Sequence, residues 1–259
     1  MSRFYLTLPS NSSMDYYPKN TVAQYTTKLN SMIELDGDWE VGLTEISIPS
    51  HVHNVIRGQC YYNIYLNEVF VRRINVTPGH YRRMRELLED LHRGQRAELP
   101  LQSEDSLIVQ FSWDGANRRV RMTSEDNMHV HVEFNANLAS LLGYTSDVRY
   151  SLRHKKTSKL RPNLTGNIHS VYVYCDLGEH VLIGDTKAPL LRIVDRTSAA
   201  NNVVHRMFNP PLYIPLPKKC FDTVEINLMT DTGIPVTFLS GKSFVVLECR
   251  LAAYKYFAM

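Results

Sequence analysis

The sequence lacks most of the features that place a chain quickly in a functional class. It contains no C-x-x-C pair, and its four cysteines, Cys60, Cys175, Cys220 and Cys249, are scattered along 259 residues. No run approaches the roughly 18 apolar residues of a membrane span, and the first residues lack the apolar stretch of a signal peptide. We therefore expect a soluble protein that is synthesised inside the cell, is not secreted, and keeps its thiols free.

Catalytic signatures are also missing. The stretch "LSGKSF", which starts at Leu239, resembles half of a phosphate-binding loop, but Val236 stands where that loop requires its first glycine. The strand-like run "FVVLECRL" follows where the motif requires a helix, so Gly241-Lys242 is better interpreted as a turn. No G-x-S-x-G elbow is present. The sequence thus predicts no catalytic residue, no cofactor and no enzyme activity.

What the sequence does contain is a series of short strands. With 44% hydrophobic and 21% charged residues it has an ordinary globular composition, long enough for one large or two small domains. Alternating runs predict two hairpins, one turning at Leu66-Asn67-Glu68 and the other at Asp114-Gly115-Ala116-Asn117. More than a dozen such strands predict an all-β sandwich or barrel.

Two short helices interrupt the strands. After Pro78-Gly79, apolar residues recur at helical spacing and predict an amphipathic helix near residues 79–93 that ends at Gly94. The stretch "NANLASLLG" predicts a second helix near 136–142, with Gly143 as its C-cap. Because both helices fall between early and late strands, we expect an inserted α+β subdomain at 58–161. The flanking segments 1–57 and 162–259 would then form one discontinuous β domain.

The stretch "HVHVEF" raises the question of a metal site. His129, His131 and Glu133 stand at alternate positions and would project from one side of a strand, as metal ligands can. His51 and His53 form a second alternating pair, which could complete a four-ligand site. The same alternation arises on the solvated face of an antiparallel strand whose other residues, Val130, Val132 and Phe134, face the core. We favour the strand face and predict no metal ligand.

A basic segment lies at 149–161. Its cationic side chains are Arg149, Arg153, His154, Lys155, Lys156, Lys159 and Arg161. The segment is polar and poor in apolar residues, which is typical of a solvated linker. The alternative is non-specific contact with nucleic acid through Arg153, Lys155, Lys156, Lys159 and Arg161, because closely spaced cations favour counterion release. The formal net charge of the whole chain, +3, is too small to decide between the two.

Several blocks of the sequence resemble one known family. They are "FYLTLPSNSSMDYYPKNTVAQYTTKL", "IELDGDWEVGLTEISIP", "VYVYCDLGEHVLIGDTKAPLLRIV" and "FNPPLYIPLPKKCFDTVEINLMTDTGIPVTFLSGKSFVVLECR". The central "PGHYRRMRELLEDL" and "VHVEFNANLASLLGY" fit the same pattern of helix, strands and a short "LA-x-LLG" helix. In this order the blocks are similar to the minor capsid (penton) proteins of Polinton/Maverick transposons and related adintoviruses.

The resemblance implies a single jelly-roll capsid protein with an inserted subdomain and no catalysis. It implies a virion location, pentamers of the chain at icosahedral vertices, and a major capsid protein as partner; packaged DNA is the nucleic acid that the basic segment would meet. Two alternatives stay open: a metal-binding jelly-roll enzyme of the cupin kind, and a monomeric β-sandwich adaptor derived from a domesticated transposon.

A ring of five subunits joins one surface of each copy to a different surface of the next. Loops at the ends of a jelly roll are free to make such contacts, and tyrosine is enriched at interfaces. We therefore predict assembly contacts at two turns, Asp15-Tyr16-Tyr17 and Asp231-Thr232-Gly233. We also expect the C-terminal "AAYKYFAM" to dock on a neighbouring subunit or on the major capsid protein.

Overall fold

The computed structural model describes residues 2–99, 107–124, 129–165, 168–196 and 203–252. Most of the predicted C-terminal docking segment, residues 253–259, lies outside this set. The described residues form eighteen strands and two helices. In chain order these are β1 (Arg3–Pro9), β2 (Gln24–Glu34), β3 (Trp39–Pro49), β4 (Tyr61–Leu66), β5 (Val69–Asn75), α1 (Met84–Glu98), β6 (Gln110–Asp114), β7 (Arg119–Thr123), β8 (Val130–Phe134), α2 (Ala136–Leu142), β9 (Arg149–Ser151), β10 (Lys156–Thr157), β11 (Ser170–Cys175), β12 (Val181–Ile183), β13 (Thr186–Ala188), β14 (Leu190–Asp195), β15 (Val203–Met207), β16 (Tyr213–Leu216), β17 (Cys220–Met229) and β18 (Phe244–Leu251).

The chain divides into two compact units. Unit 1 comprises Met1–Val52 and Ile168–Met259, and unit 2 comprises His53–Asn167. Each unit has its own cluster of buried apolar side chains. Each therefore has the hydrophobic core that defines a structural domain.

Unit 1 is a sandwich of two antiparallel sheets with nested strand pairing. The first strand pairs with the last, β1 with β18, and the second pairs with the one before it, β2 with β17. Further inward, β3 pairs with β15 and β16, and β11 pairs with β14. One sheet has the order β1-β18-β3-β15, with β16 also on β3, and the other has the order β14-β11-β17-β2. This nesting defines a jelly roll, so the fold class is confirmed.

The core of unit 1 comes from alternate positions of its strands. In β3, for example, Val41, Leu43, Ile46 and Ile48 are fully buried. The step from Leu43 to Ile46 breaks strict alternation because the β3–β18 pair contains a register shift between Val246 and Leu247. Two of the four free cysteines belong to this core: burial raises the pKa of Cys249 to about 12, and it also raises the pKa of the Cys175 thiol.

Unit 2 combines two small sheets with both helices. Its strand orders are β5-β4-β8-β9 and β10-β7-β6. Its core combines aliphatic side chains with four aromatic rings, of which those of Phe134 and Tyr144 stack with centroids 5.1 Å apart. Buried tyrosine hydroxyls find partners there, since Tyr144 donates to the Val120 carbonyl at 2.9 Å and Tyr62 donates to the Leu91 carbonyl at 3.1 Å.

Both predicted hairpins are confirmed in unit 2. Asn67 and Glu68 join β4 to β5 with positive φ angles of 48° and 66°, as a tight two-residue turn requires. The turn after Asp114 joins β6 to β7, and the Asp114 carboxylate accepts a hydrogen bond from the backbone N–H of Asn117 at 3.2 Å. The residue types of these two turns were therefore sufficient to predict both hairpins.

Helix α1 differs from its predicted bounds at both ends. It begins only at Met84, because the Asn54 side chain holds Tyr81 through two 2.9 Å hydrogen bonds to its backbone N–H and C=O. The predicted end at Gly94 is wrong, since the helix continues to Glu98. A Cβ on Gly94 would lie 2.8 Å from Cγ2 of Ile74, so this glycine permits close packing on β5 and does not end the helix.

Helix α2 has the predicted bounds and cap. The Asn135 side chain accepts a hydrogen bond from the Leu138 N–H at 3.3 Å, which caps the N-terminus. Gly143 ends the helix with φ +78°, a left-handed conformation that favours glycine, so its prediction as C-cap is confirmed. Among the described residues, no helix has the length and apolar character needed to cross a membrane.

The segment 149–161 is not a linker, and that prediction is wrong. Strand β9 pairs with β8 and strand β10 pairs with β7, so both belong to the sheets of unit 2. Leu152 and Ser158 are buried between the exposed cations. Strands of two or three residues with so few apolar positions are too short to show a periodic pattern in the sequence. They form because the neighbouring strands pair with them.

Candidate functional site

The two predicted assembly turns lie at the same end of unit 1. Strand β1 ends at Pro9, which pairs with Phe244 at the start of β18. Asn227, near the end of β17, pairs with Gln24 at the start of β2. The connections 10–23 and 230–243 therefore emerge from one end of the sandwich, and they carry Asp15-Tyr16-Tyr17 and Asp231-Thr232-Gly233 respectively.

The first turn is held firmly and presents its tyrosines to solvent. The Asn20 side chain donates to the Thr26 carbonyl and accepts from the Thr26 N–H, both at 2.9 Å. The Tyr17 N–H donates to the Ser13 carbonyl at 2.8 Å. Asp15 is exposed, Tyr17 is half-buried, and Tyr16 is 71% exposed. A ring this exposed on an ordered turn is available for contact with another molecule.

A shallow cavity of about 450 Å³ lies beside this turn. Its lining includes Tyr16, Tyr17, Lys19, Gln24, Glu225 and Asn227. The amide of Gln24 donates to Asn227 at 2.9 Å, and the amide of Asn227 donates to Glu225 at 2.7 Å. The cavity floor is thus a connected row of polar groups, with the two tyrosines at its side.

The second turn is built around Thr230. Its N–H donates to the Ile234 carbonyl at 2.8 Å, and its hydroxyl lies 2.9 Å from the hydroxyl of Thr232. Gly233 has φ +75°. Asp231, Thr232 and Gly233 are all exposed. Both turns consequently offer ordered, solvent-facing groups at one end of the jelly roll.

Arg196 occupies a position at this end that the sequence analysis missed. The chain leaves unit 1 after Val52 and returns at Ile168. The Arg196 guanidinium donates to the Ser50 carbonyl at 2.5 Å and to the Ile168 carbonyl at 2.6 Å, and so clasps the departing and returning segments together. Burial lowers the pKa of this guanidinium. A lone arginine after a strand carries no sequence signal for such a role.

His131 of β8 and His129, which directly precedes that strand, both engage charged neighbours. Nδ1 of His129 accepts a hydrogen bond from Nε of Arg153 at 3.0 Å, Nε2 of His131 lies 3.2 Å from Oε1 of Glu68, and Glu133 accepts from the Tyr65 hydroxyl at 3.0 Å. Val130, Val132 and Phe134 face the core, so the prediction of an alternating strand face is confirmed. Within the described part of the chain, no three His, Cys, Asp or Glu side chains gather as metal ligands would.

The predicted nucleic-acid residues do not form one group. Arg153 lies beside His129 on the β8–β9 side of unit 2, whereas Lys156 belongs to β10 and pairs with Met122 of β7. Lys155, Lys159 and Arg161 are exposed next to β10. Their neighbours on β7 are Arg119 and Arg121, which the sequence analysis did not select. The sequence signal that could have identified these two residues is the alternation of Arg119 and Arg121 around Val120 in "RRVR".

The strand order assigns the chain to the single jelly-roll proteins that carry an additional α+β unit. No protein-family model matches the chain, and no curated protein sequence does. Among solved structures, the mavirus penton protein matches with a TM-score of 0.50 at 13% sequence identity, covering 97% of this chain and 100% of the mavirus chain. A chain in the cryo-EM structure of the Sputnik virophage matches with a TM-score of 0.47 at 9% identity, covering 97% and 98% of the two chains. The first likeness shows a shared fold over 97% of this chain and the whole of the mavirus chain.

Proposed function

We propose that this chain is a minor capsid protein of the penton type, related to those of Polinton/Maverick elements. The observation that carries the proposal is the match to the mavirus penton protein, which extends over both units and leaves no part of that chain uncovered. The nested strand pairing of unit 1 agrees with it, because jelly rolls are a common solution for capsid subunits. The function is structural, and the protein acts by binding other subunits.

We propose further that unit 1 is the discontinuous capsid domain and unit 2 the inserted subdomain. Five copies would close into a ring through heterologous contacts, in which one surface of each copy meets a different surface of its neighbour. The turns Asp15-Tyr16-Tyr17 and Asp231-Thr232-Gly233 support this role because both are exposed, ordered and at one end of unit 1. The remaining partners are a major capsid protein and packaged DNA.

Light scattering after size exclusion tests the assembly directly. The chain has a mass of 29.9 kDa, so a closed ring of five has about 150 kDa. We expect this species at micromolar concentration, with the pure protein or after addition of the major capsid protein. Tyr16→Ala combined with Asp231→Ala should weaken it, whereas Leu182→Ala, at a 74% exposed position on β12, should not.

Two outcomes would favour the alternatives. A chain that stays monomeric alone and together with the major capsid protein would argue for an adaptor. About one equivalent of zinc, iron or manganese per chain, found by elemental analysis, would argue for a metal-dependent enzyme of the cupin kind.

A further inference from the structure

Strand pairing joins two basic segments that are far apart in the sequence. Strand β10 runs antiparallel to β7, with Thr157 opposite Arg121 and Lys156 opposite Met122. The Ser158 N–H continues this pairing by donating to the Val120 carbonyl at 2.8 Å. Residues 155–159 therefore lie alongside residues 119–123.

Side-chain alternation decides which of these residues share a face. Val120 and Met122 are fully buried, so the residues between and beside them, Arg119 and Arg121, point to the outer face of the sheet. Opposite residues of an antiparallel pair point the same way, and alternation along residues 155–159 then places Lys155 and Lys159 on that face with Thr157. We call this the β7–β10 basic face, defined by Arg119, Arg121, Lys155 and Lys159.

Within the described strands β6, β7 and β10, a single side chain carries a carboxylate. Asp114 of β6 is opposite Arg119 and forms an ion pair with Arg121. Hydrogen bonds from Asn117, and the charge of Arg121, lower the pKa of Asp114, so the carboxylate stays ionised. Four cations against this one anion leave an excess of three positive charges among the described residues of the face. The described part of this face is therefore positively charged.

The geometry of the face fits an extended polyanion. Arg119 and Arg121 lie ~7 Å apart along β7, Lys155 and Lys159 lie ~13 Å apart on either side of Thr157, and neighbouring strands are ~5 Å apart, so the charges form a two-dimensional array. The neutral hydroxyls of Thr157 and Ser112 lie opposite Arg121 on either side and can donate to phosphate oxygens. Contacts from these cations and hydroxyls to phosphate oxygens carry no sequence information, so such an array binds the backbone without reading bases.

We propose that the β7–β10 basic face binds the phosphate backbone of duplex DNA without sequence preference. The inference deepens the proposed function and rests on it, because packaged DNA is the polyanion that a shell subunit meets. It replaces the contiguous set Arg153, Lys155, Lys156, Lys159 and Arg161 by a composite surface, in which Arg119 and Arg121 join Lys155 and Lys159.

Fluorescence anisotropy with a labelled 20-base-pair duplex tests the proposal. Three to four phosphate contacts predict that log K falls against log salt with a slope of about −3. Affinity should therefore drop about 60-fold between 50 and 200 mM salt. A single-stranded probe should give a shallower slope, because its counterion release per contact is smaller. A second duplex of unrelated sequence should bind equally well.

Charge reversal identifies the surface. Arg119→Glu, Lys155→Glu and Lys159→Glu together should abolish measurable binding. The matched control, Arg82→Glu with Arg85→Glu and Lys187→Glu, makes the same change in net charge at exposed positions elsewhere and should lower affinity less than about threefold. If the triple variant does not fold, Arg119→Gln with Lys159→Gln should still reduce the magnitude of the salt slope by about 2. Equal losses in the test and control variants, or an unchanged slope, would overturn the proposal.

Light scattering on the same variants separates the two proposals. Pentamers that form normally but no longer bind DNA support the basic face and leave the vertex role intact. A wild-type chain that binds DNA with the expected slope but never assembles supports the basic face and contradicts the vertex role. Wild-type pentamers without salt-dependent DNA binding contradict the basic face alone.

Discussion

The two units are built from contacts of very different range along the chain. In unit 1, Arg3 pairs with Arg250, and both sheets of the sandwich combine strands from the two sides of the insertion. In unit 2, β4 and β5 are joined by two residues, and every strand of both sheets lies within 53–167. Long-range pairing costs more loop-closure entropy before it is stabilised by contacts. We infer that unit 2 folds as a local module, whereas unit 1 forms only when both ends of the chain are present.

The cores differ as well. Both cores are mainly aliphatic, but the smaller core of unit 2 contains four aromatic residues, Tyr62, Phe111, Phe134 and Tyr144, against three in the larger core of unit 1. A smaller unit has less interior, and aromatic rings bury much surface per residue. Conveniently, the chain has two tryptophans, Trp39 in unit 1 and Trp113 in unit 2. Each unit can thus be followed by its own fluorescence.

The largest expected effect on stability comes from truncating one buried side chain in the core of each unit. Phe134→Ala should lower the free energy of unfolding of unit 2 by about 3–5 kcal/mol, and Leu43→Ala should lower that of unit 1 by about 2–5 kcal/mol, since both residues are almost completely buried. The measurement is denaturant unfolding in Trp39→Phe and Trp113→Phe backgrounds, which leave one reporter each.

If the two units unfold separately, each substitution should shift only the unfolding transition of its own unit. Phe134→Ala should shift the Trp113 transition, and Leu43→Ala the Trp39 transition. If each substitution shifted both transitions equally, the two units would unfold as one cooperative body, and the distinction between a local and a long-range module would be wrong.

A smaller effect within unit 2 separates backbone strain from steric contact. Gly58 and Gly143 have φ angles of +74° and +78°, but a Cβ on Gly58 would meet nothing within 4 Å, whereas one on Gly143 would lie 2.3 Å from the Leu160 carbonyl oxygen. Gly58→Ala should cost about 1–2 kcal/mol, from the left-handed backbone alone. Gly143→Ala should cost about 3 kcal/mol or more, because the 158–162 segment must also move. Equal losses in chemical denaturation would show that the contact is unimportant.

The smallest effect is a pH dependence confined to unit 2. Burial, and then the charge of Arg96, lower the pKa of His92 below its usual 6.5, and its Nε2 accepts the Phe111 N–H at 2.9 Å. The unfolded chain therefore binds a proton first, so the stabilisation is present above pH 6.5 and is lost as the pH falls below that value. Compared with wild type, His92→Gln should flatten the decline in the Trp113 transition between pH 7 and pH 5. Identical pH profiles would exclude this role.

Local features of the fold were predictable because local chemistry determines them. The turn at Asn67-Glu68 and the cap at Gly143 are each set by a few neighbouring residues. The failures have non-local causes: Gly94 serves packing on Ile74, and β10 is a strand only because β7 lies beside it. For the same reason the basic segment at 149–161 was visible in the sequence, but its partners Arg119 and Arg121 were not.

The clasp made by Arg196 has a consequence for how such a molecule can evolve. Because one guanidinium reaches both Ser50 and Ile168, the points where the chain departs from the jelly roll and re-enters it are neighbours. A segment with adjacent ends can grow, shrink or be exchanged at little entropic cost. The jelly roll can therefore accept inserted segments of different size at this point, while the strands of the sandwich keep their register.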